Sequence, residues 1–159
     1  MAKIMVMGCG DVGMGLAERL AATGHEVTGV RRTLQTQSSD IHFIQADLTN
    51  AEQVGALDFN VDGLVYILSP TGRDISAYKD VFKTGVEHVL SALKQQNPTL
   101  PIFFISSTRV YAQQQGEWVS EQSATEPMGE RGRLLLQAEN QFLAFNEHAT
   151  VIRFSGIYG

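Results

Sequence analysis

The residues most able to do chemistry in this chain fall into a few short stretches. The first is Gly8-Cys9-Gly10-Asp11-Val12-Gly13, which has the spacing G-x-G-x-x-G. Glycine is common, and the spacing alone says little. Here an apolar run precedes it, a helical pattern starts inside it, and a second apolar run follows at the distance of a βαβ unit. If a dinucleotide binds, each position has a task. The first glycine permits a tight turn, the second lets backbone approach the pyrophosphate, and the third lets helix pack on strand. Asp11 and Val12 open the helix, whose free N–H groups and positive dipole end face the phosphates. The bland alternative is a turn with incidental glycines. Cys9 reads as a small loop residue rather than a nucleophile, because no partner base lies near it in sequence.

The second stretch, Gly29-Val30-Arg31-Arg32-Thr33, ends the next apolar run. An NAD site usually puts Asp or Glu there to hold the ribose hydroxyls. A carboxylate would repel a 2′-phosphate, whereas a guanidinium pairs with it bidentately. The arginine pair therefore predicts NADP over NAD, unless Arg31 and Arg32 are merely solvated at a strand end. The third stretch is Asp47-Leu48, where an acid can accept from an adenine amino group while leucine packs on the ring. Asp47 could equally cap a helix starting near Asn50. Ser69-Pro70 ends the fourth apolar run, at the crevice where open α/β sheets bind ligands. The fourth stretch contains Ser107, at the end of the fifth run.

These stretches need elements to hold them. Residues 3–7, 26–31, 41–45, 63–68, 101–107 and 149–154 are short runs rich in Val, Ile and Phe and read as strands. Several are apolar at nearly every position, as strands covered on both faces should be. Between them, residues 12–23 place Val12, Leu16, Ala17 and Leu20 on one helical face. Residues 75–96 carry Tyr78, Val81, Phe82, Val86, Val89, Leu90 and Leu93 in a broad stripe that stops at Asn97-Pro98. Residues 129–146 carry Leu135, Leu136, Phe142, Leu143 and Phe145, and a shorter helix covers 51–57. Such alternation predicts an α/β fold: a doubly wound parallel sheet with right-handed crossovers, in three α/β/α layers. The polar stretch 113–128 is the one long connection, and long loops are usually functional or disordered.

The totals agree with that class. The chain has 159 residues, 43% hydrophobic and 18% charged, which suits one domain over residues 1–159. A net charge of −5 gives no reason to expect nucleic acid or an anionic membrane as partner. The single cysteine excludes an internal disulfide, and the expected location is cytoplasmic. His25, His42, His88 and His148 lack metal-ligand spacing, so no metal is expected. Asp62, Asp74 and Asp80 read as surface or capping residues. Trp118 reads as a hydrophobic plug for its loop, or else as a substrate-facing aromatic.

The segments FFISSTRVYA (103–112) and VIRFSGIYG (151–159) resemble two motifs of the extended short-chain dehydrogenase/reductases, which include nucleotide-sugar epimerases and dehydratases. The resemblance covers nearly the whole chain. The glycine loop departs by one residue from the G-x-x-G-x-x-G usual there. With GHEVTGVRRT it is more similar to the 3-hydroxyacid dehydrogenases related to 6-phosphogluconate dehydrogenase, a group without an SSTRVY segment. A subset of atypical extended members, assigned as NADP-binding epimerases, resembles the chain in both respects.

What the resemblance implies is a serine, a tyrosine and a lysine, the last two spaced Y-x-x-x-K. Tyrosinate serves as acid or base for the substrate hydroxyl, lysine lowers its pKa and holds the nicotinamide ribose, and serine orients the substrate oxygen. Ser107 stands at the serine's place; it could also be simply a small residue ending a buried strand. The family segment Y-G-x-S-K-L-x-x-E corresponds to Arg131 through Glu139, with Arg131 for tyrosine and Leu135 for lysine. Arginine stays protonated at any accessible pH and cannot shuttle a proton. The usual dyad is thus expected to be missing, with Glu121 and Glu130 as weak substitutes. The family's RFSGIYG motif leads into a substrate-binding lobe, so a fragment lacking that lobe is expected, with a stand-alone cofactor domain as the alternative. Helices 75–96 and 129–146 correspond to a family dimer interface, which makes a homodimer possible. Two functions follow as expectations, beside a minority alternative, a 3-hydroxyacid-dehydrogenase-like cofactor domain. One is an NADP-binding epimerase, dehydratase or reductase acting on a sugar-nucleotide-like or carbonyl substrate. The other is a non-catalytic NADP-binding sensor or scaffold.

Overall fold

The computed structural model describes residues 1–33, 40–113 and 115–156. Six strands form one parallel sheet: β1 (Lys3–Met7), β2 (Glu26–Arg31), β3 (Ile41–Gln45), β4 (Gly63–Tyr66), β5 (Ile102–Ser107) and β6 (Ala149–Phe154). Their spatial order is β3-β2-β1-β4-β5-β6. The chain winds outward from β1 to β3, then returns to the other side of β1 as β4. That reversal between β1 and β4 opens a crevice at the carboxyl ends of the strands. The expected doubly wound α/β architecture is the one observed.

The central strands are buried on both faces, which explains their unbroken apolar runs. Met5, Val6 and Met7 of β1 and all four residues of β4 are buried. The edge strand β6 alternates instead, with Ala149, Val151 and Arg153 turned toward protein and their neighbours exposed. Two strands are shorter than the sequence suggests. Pro101 cannot donate to the ladder, so β5 starts one residue later, although the Pro101 carbonyl accepts from the Leu64 N–H at 2.9 Å. At the end of β4, only the Ile67 N–H continues the pairing, donating to the Met7 carbonyl at 2.8 Å.

Helix α1 (Asp11–Ala22) covers one face over a small core of Val6, Cys9, Ala17, Val27, Ile41 and Val65. On the other face lie α2 (Ala51–Gly55), a long helix spanning residues 75–96, and α5 (Glu130–Phe145). The long helix is continuous but not uniform: α3 (Ile75–Lys79) and α4 (Gly85–Gln96) flank a π-helical turn at Asp80–Thr84. The buried Tyr66 accounts for this turn, since its hydroxyl donates to the Val81 carbonyl at 2.6 Å. A Cβ at Gly85 would come within 2.9 Å of that phenol oxygen, so the glycine makes the room. Burial pushes the Tyr66 phenol pKa up, and it stays a neutral donor. Around it Phe104 and Phe142 stack at 4.8 Å between centroids, and Tyr66 meets Phe142 at 5.2 Å. These rings form the centre of the main core.

Helix α2 is shorter than the apolar pattern of 51–57 implies, ending in tight 3₁₀-type bonds such as Leu57 N–H to the Val54 carbonyl. Trp118 is fully exposed, so the expected hydrophobic plug is not formed: its loop has no apolar partner for the indole. No helix among the described residues is long and apolar enough to cross a membrane.

Candidate functional site

A cleft of about 810 Å³ occupies the crevice at the carboxyl ends of the strands. Its floor is the glycine loop. Gly8 has φ +103°, in the region that side chains rarely adopt, and a Cβ there would approach the Ile67 carbonyl oxygen to 2.5 Å. A Cβ at Gly13 would overlap the Gly8 carbonyl oxygen, so α1 can lie this close only because residue 13 is glycine. Gly10 differs from both: nothing lies within 4 Å of its Cβ position. The loop thus turns at Gly8, packs at Gly13 and is open at Gly10. No side chain caps α1, which leaves the amides of its first turn facing outward. The cradle fits a pyrophosphate, which needs an uncovered backbone at the middle glycine.

Cys9 borders the cleft but offers it little surface. It is buried, with Sγ 3.5 Å from the Val6 carbonyl. Burial pushes its pKa up, and the nearby Arg31 charge only partly opposes that. A thiol kept protonated is a poor nucleophile. Sequence reasoning missed its counterpart, Gly29, where a Cβ would come within 2.8 Å of both Cys9 Sγ and the Phe43 ring. A glycine inside a strand is the signal for such close approach.

The cleft continues past the end of β2, where Arg31 and Arg32 line it together with Thr33. The Gln45 side chain donates to the Arg32 carbonyl at 2.8 Å, which fixes the backbone under that guanidinium. Asp47 and Leu48 stand opposite. Asp47 is not the cap of α2, because Asn50 fills that role by accepting from the Glu52 and Gln53 N–H groups. The Asp47 carboxylate instead accepts from the backbone N–H and hydroxyl of Thr49 at 2.9 and 2.8 Å. Those bonds lower its pKa below the usual carboxylate value, so it remains an acceptor. Val12 and Ser69 also line the cleft, and Val12 is exposed there rather than buried under α1.

At the far end, Ser107 is followed by a 3₁₀ turn at Thr108–Val110. Its hydroxyl oxygen accepts from the Arg109 N–H at 3.2 Å, and its own proton remains to be donated. A buried ionic cluster holds this turn. Glu139 of α5 is fully buried and accepts from Arg153 of β6, with Nη2 at 2.7 Å and Nε at 3.0 Å. Glu139 also accepts from the Ser106 hydroxyl, and Arg153 Nη1 donates to the Tyr111 hydroxyl at 2.8 Å. Two residues of SSTRVY are therefore anchored to a helix and an edge strand at once.

The family model for the NAD dependent epimerase/dehydratase family matches residues 4–154. The chain belongs to this family. Among solved structures, it is 36% identical to a candidate NAD-dependent epimerase/dehydratase from Methylobacillus flagellatus, with a TM-score of 0.80, covering 99% of this chain and 55% of that one. WbmH from Bordetella bronchiseptica, solved with NAD+, is 17% identical with a TM-score of 0.78, covering 98% and 55%, and supports the fold alone. Among curated proteins, Escherichia coli YeeZ is 29% identical over 169 residues, covering all of this chain and 60% of YeeZ. The chain thus spans just over half the length of these relatives.

Within the family fold, the two positions expected to lack the tyrosine and lysine are clearly placed. Leu135 lines the cleft and is only 4% exposed, putting a hydrocarbon wall where a cation was looked for. Arg131 lies outside that lining; its guanidinium donates to the Arg73 carbonyl and sits 5.5 Å from the centre of the Tyr78 ring. Neither Glu121 nor Glu130 lines the cleft, and Glu130 pairs with Lys79 at 3.4 Å. All the residues singled out around the glycine loop, the arginine pair, Asp47-Leu48, Ser69 and Ser107 border this one cleft. Tyr78, Asp80 and Val81 border it too, the last two in the π-helical turn, which is invisible in the sequence.

Proposed function

We propose that this chain is the cofactor-holding part of an NADP-dependent member of the family, acting on a carbonyl or sugar-nucleotide-like substrate. The observation that carries this reading is the single cleft that joins the glycine cradle, the arginine pair and Ser107. In it, the Gly8–Gly13 loop and the open amides of α1 receive the pyrophosphate. Arg31 and Arg32 pair with the 2′-phosphate, and Asp47 accepts from the adenine amino group beside Leu48. When bound, the nicotinamide gives or takes the hydride. Ser107, its oxygen already engaged by the Arg109 N–H, directs its proton at the substrate oxygen. Neither Leu135 nor Arg131 can supply the acid or base.

Calorimetric titration of the chain with NADPH and NADH tests the cofactor reading. NADPH binding at least tenfold tighter than NADH is expected, with the difference abolished in an Arg31→Ala, Arg32→Ala double variant. Equal affinities would remove the NADP preference, and no binding of either would remove the cofactor role.

A second reading, a non-catalytic NADP-binding sensor or scaffold, is favoured by the buried Leu135 and by the engagement of Arg131 with Arg73 and Tyr78. Turnover of NADPH by the full-length protein on any carbonyl from a broad panel would exclude it. A homodimer through helices 75–96 and 129–146 also belongs to the proposal, supported by the half-exposed Leu143 on the outer face of α5. Sedimentation at micromolar concentration checks it, and a monomer would remove it.

A further inference from the structure

Arg109 is one of three arginines that border the cleft. Arg109 lies in the 3₁₀ turn after β5, two residues from Ser107, and borders the cleft beside Leu135. The backbone under it is fixed. Its N–H donates to Ser107 Oγ, Val110 is completely buried, and Tyr111 is held by Arg153. Its carbonyl oxygen abuts α5, where a Cβ at Gly132 would approach it to 2.8 Å. The side chain itself is exposed and, among the described residues, makes no ion pair or hydrogen bond.

Three other arginines at this end are engaged. Arg131 donates to the Arg73 carbonyl, Arg133 to the Met128 carbonyl, and Arg153 to Glu139. Three acids border the cleft, and none pairs with Arg109: Asp11 lies in the glycine loop, Asp47 is bound by Thr49, and Asp80 begins the π-helical turn. Arg109 thus offers a planar fork of donors with no internal acceptor, on a rigid turn, next to the hydroxyl that meets the substrate oxygen.

We infer that Arg109 is a substrate-binding residue that recognises an oxyanion, a carboxylate or phosphate, carried by the substrate near its reacting oxygen. This rests on the proposed reading of the cleft as a cofactor and substrate site. The chemistry is direct: a guanidinium fork pairs bidentately with either anion, and partial exclusion of water strengthens the pair. The leucine at position 135 fits the same picture. It adds no competing charge and lowers the local polarity against which the anion is bound.

The test uses the chain saturated with NADPH, titrated with malonate and, separately, with inorganic phosphate at constant ionic strength. The readout is the Nε–Hε resonance of Arg109 in ¹⁵N-labelled protein, assigned by its loss in Arg109→Gln. Saturable movement of that resonance, with anion affinity falling at least tenfold in Arg109→Gln and partly recovered in Arg109→Lys, supports the inference. The NADPH affinity of Arg109→Gln should change less than twofold. Saturation by malonate alone assigns a carboxylate, and by phosphate alone a phosphate. An unmoved resonance, or equal anion binding in Arg109→Gln, overturns the inference. So does a tenfold loss of NADPH affinity in that variant, which would place Arg109 in the cofactor site. Should NADPH itself fail to bind, the cofactor reading falls separately, and the same titration of the free chain decides the role of Arg109.

Discussion

Replacing Arg153 by methionine should destabilise the chain far more than its position on an edge strand suggests. Edge positions are usually tolerant, but this arginine compensates a carboxylate buried to 0% exposure. Glu139 accepts from Arg153 Nη2 at 2.7 Å and from Nε at 3.0 and 3.2 Å, and its remaining capacity is met by the Ser106 hydroxyl. Removing one partner of a buried pair leaves an uncompensated charge and costs about 3–5 kcal/mol. With a urea m-value of about 2 kcal/mol/M, the midpoint should fall by about 2 M. Glu139→Gln should cost less, about 1.5–3 kcal/mol, because the amide still accepts hydrogen bonds and the arginine side chain keeps 18% exposure to water. The informative measurement is the double-mutant cycle with Glu139→Leu. Exchanging the pair for hydrocarbon removes the orphaned charge, so the double variant should be no less stable than Arg153→Met alone, with a coupling of about 2–3 kcal/mol. The hydrogen bonds to Glu139 hold the Arg153 pKa above its ordinary value. A raised cationic pKa gives stability that is present below the unfolded value and lost only as pH rises through the folded one. The contribution of the Arg153 charge should therefore stay constant as pH rises to about 9. Additivity within about 0.5 kcal/mol, or a cost below about 1 kcal/mol for Arg153→Met, would refute the reasoning, because either would mean that water reaches Glu139.

The glycines of the cradle should separate folding from binding. Gly13→Ala forces a Cβ onto the Gly8 carbonyl and should lower the melting temperature by several degrees, about 4 °C or more. Gly10→Ala meets open space and should leave the melting temperature nearly unchanged while weakening NADPH at least tenfold; equal thermal effects would contradict this division. Thr49→Val removes one of the two bonds that lower the Asp47 pKa, so an NMR titration should find that pKa moved up toward the ordinary carboxylate value. In the parent chain the small stability tied to this depressed pKa is present above the unfolded value and is lost as pH falls through the folded one. Trp118, the one tryptophan, is fully exposed and should fluoresce like a solvated indole and be quenched freely by iodide. A blue-shifted, protected emission would show that its loop packs against something.

The parts of this molecule that were legible in the sequence are those fixed by local steric rules or by periodicity. The six strands were readable because β1 and β4, covered on both faces, carry no polar interruption. The cradle was readable because Gly8 and Gly13 stand where a side chain would collide with backbone, a constraint that leaves a mark on the residue type. What could not be read depends on which neighbour a side chain finds. The periodicity of 75–96 looks like a plain α-helix, and only the Tyr66 phenol reaching the Val81 carbonyl gives the extra turn. Asp47 had two readings until Asn50 was seen to hold the cap and Thr49 the carboxylate. Trp118 looked like a plug because indole is large and apolar, but burial needs a facing surface, and spacing along the chain carries no information about one.

The two ends of the cleft therefore constrain evolution differently. At the cradle, function is made of backbone, and almost any change of side chain at Gly8 or Gly13 is first a folding defect. At the Ser107 end, the turn is held by the Ser107 hydroxyl oxygen, which accepts from the Arg109 N–H, and from behind by the buried Glu139–Arg153 pair, with no part taken by the Arg109 side chain. The cleft-facing Arg109 is thus free to change without loss of the fold, because only its backbone is used, whereas Leu135 belongs to the buried core. That asymmetry accompanies the absence of the expected proton-transfer pair at Arg131 and Leu135, while the turn at Gly8 and the close packing at Gly13 are in place. It also makes a quantitative demand: substitutions at Arg109 should leave the urea midpoint within the error of the parent while changing what binds. A variant of Arg109 that loses as much stability as Arg153→Met would show that the turn is held by its exposed face after all.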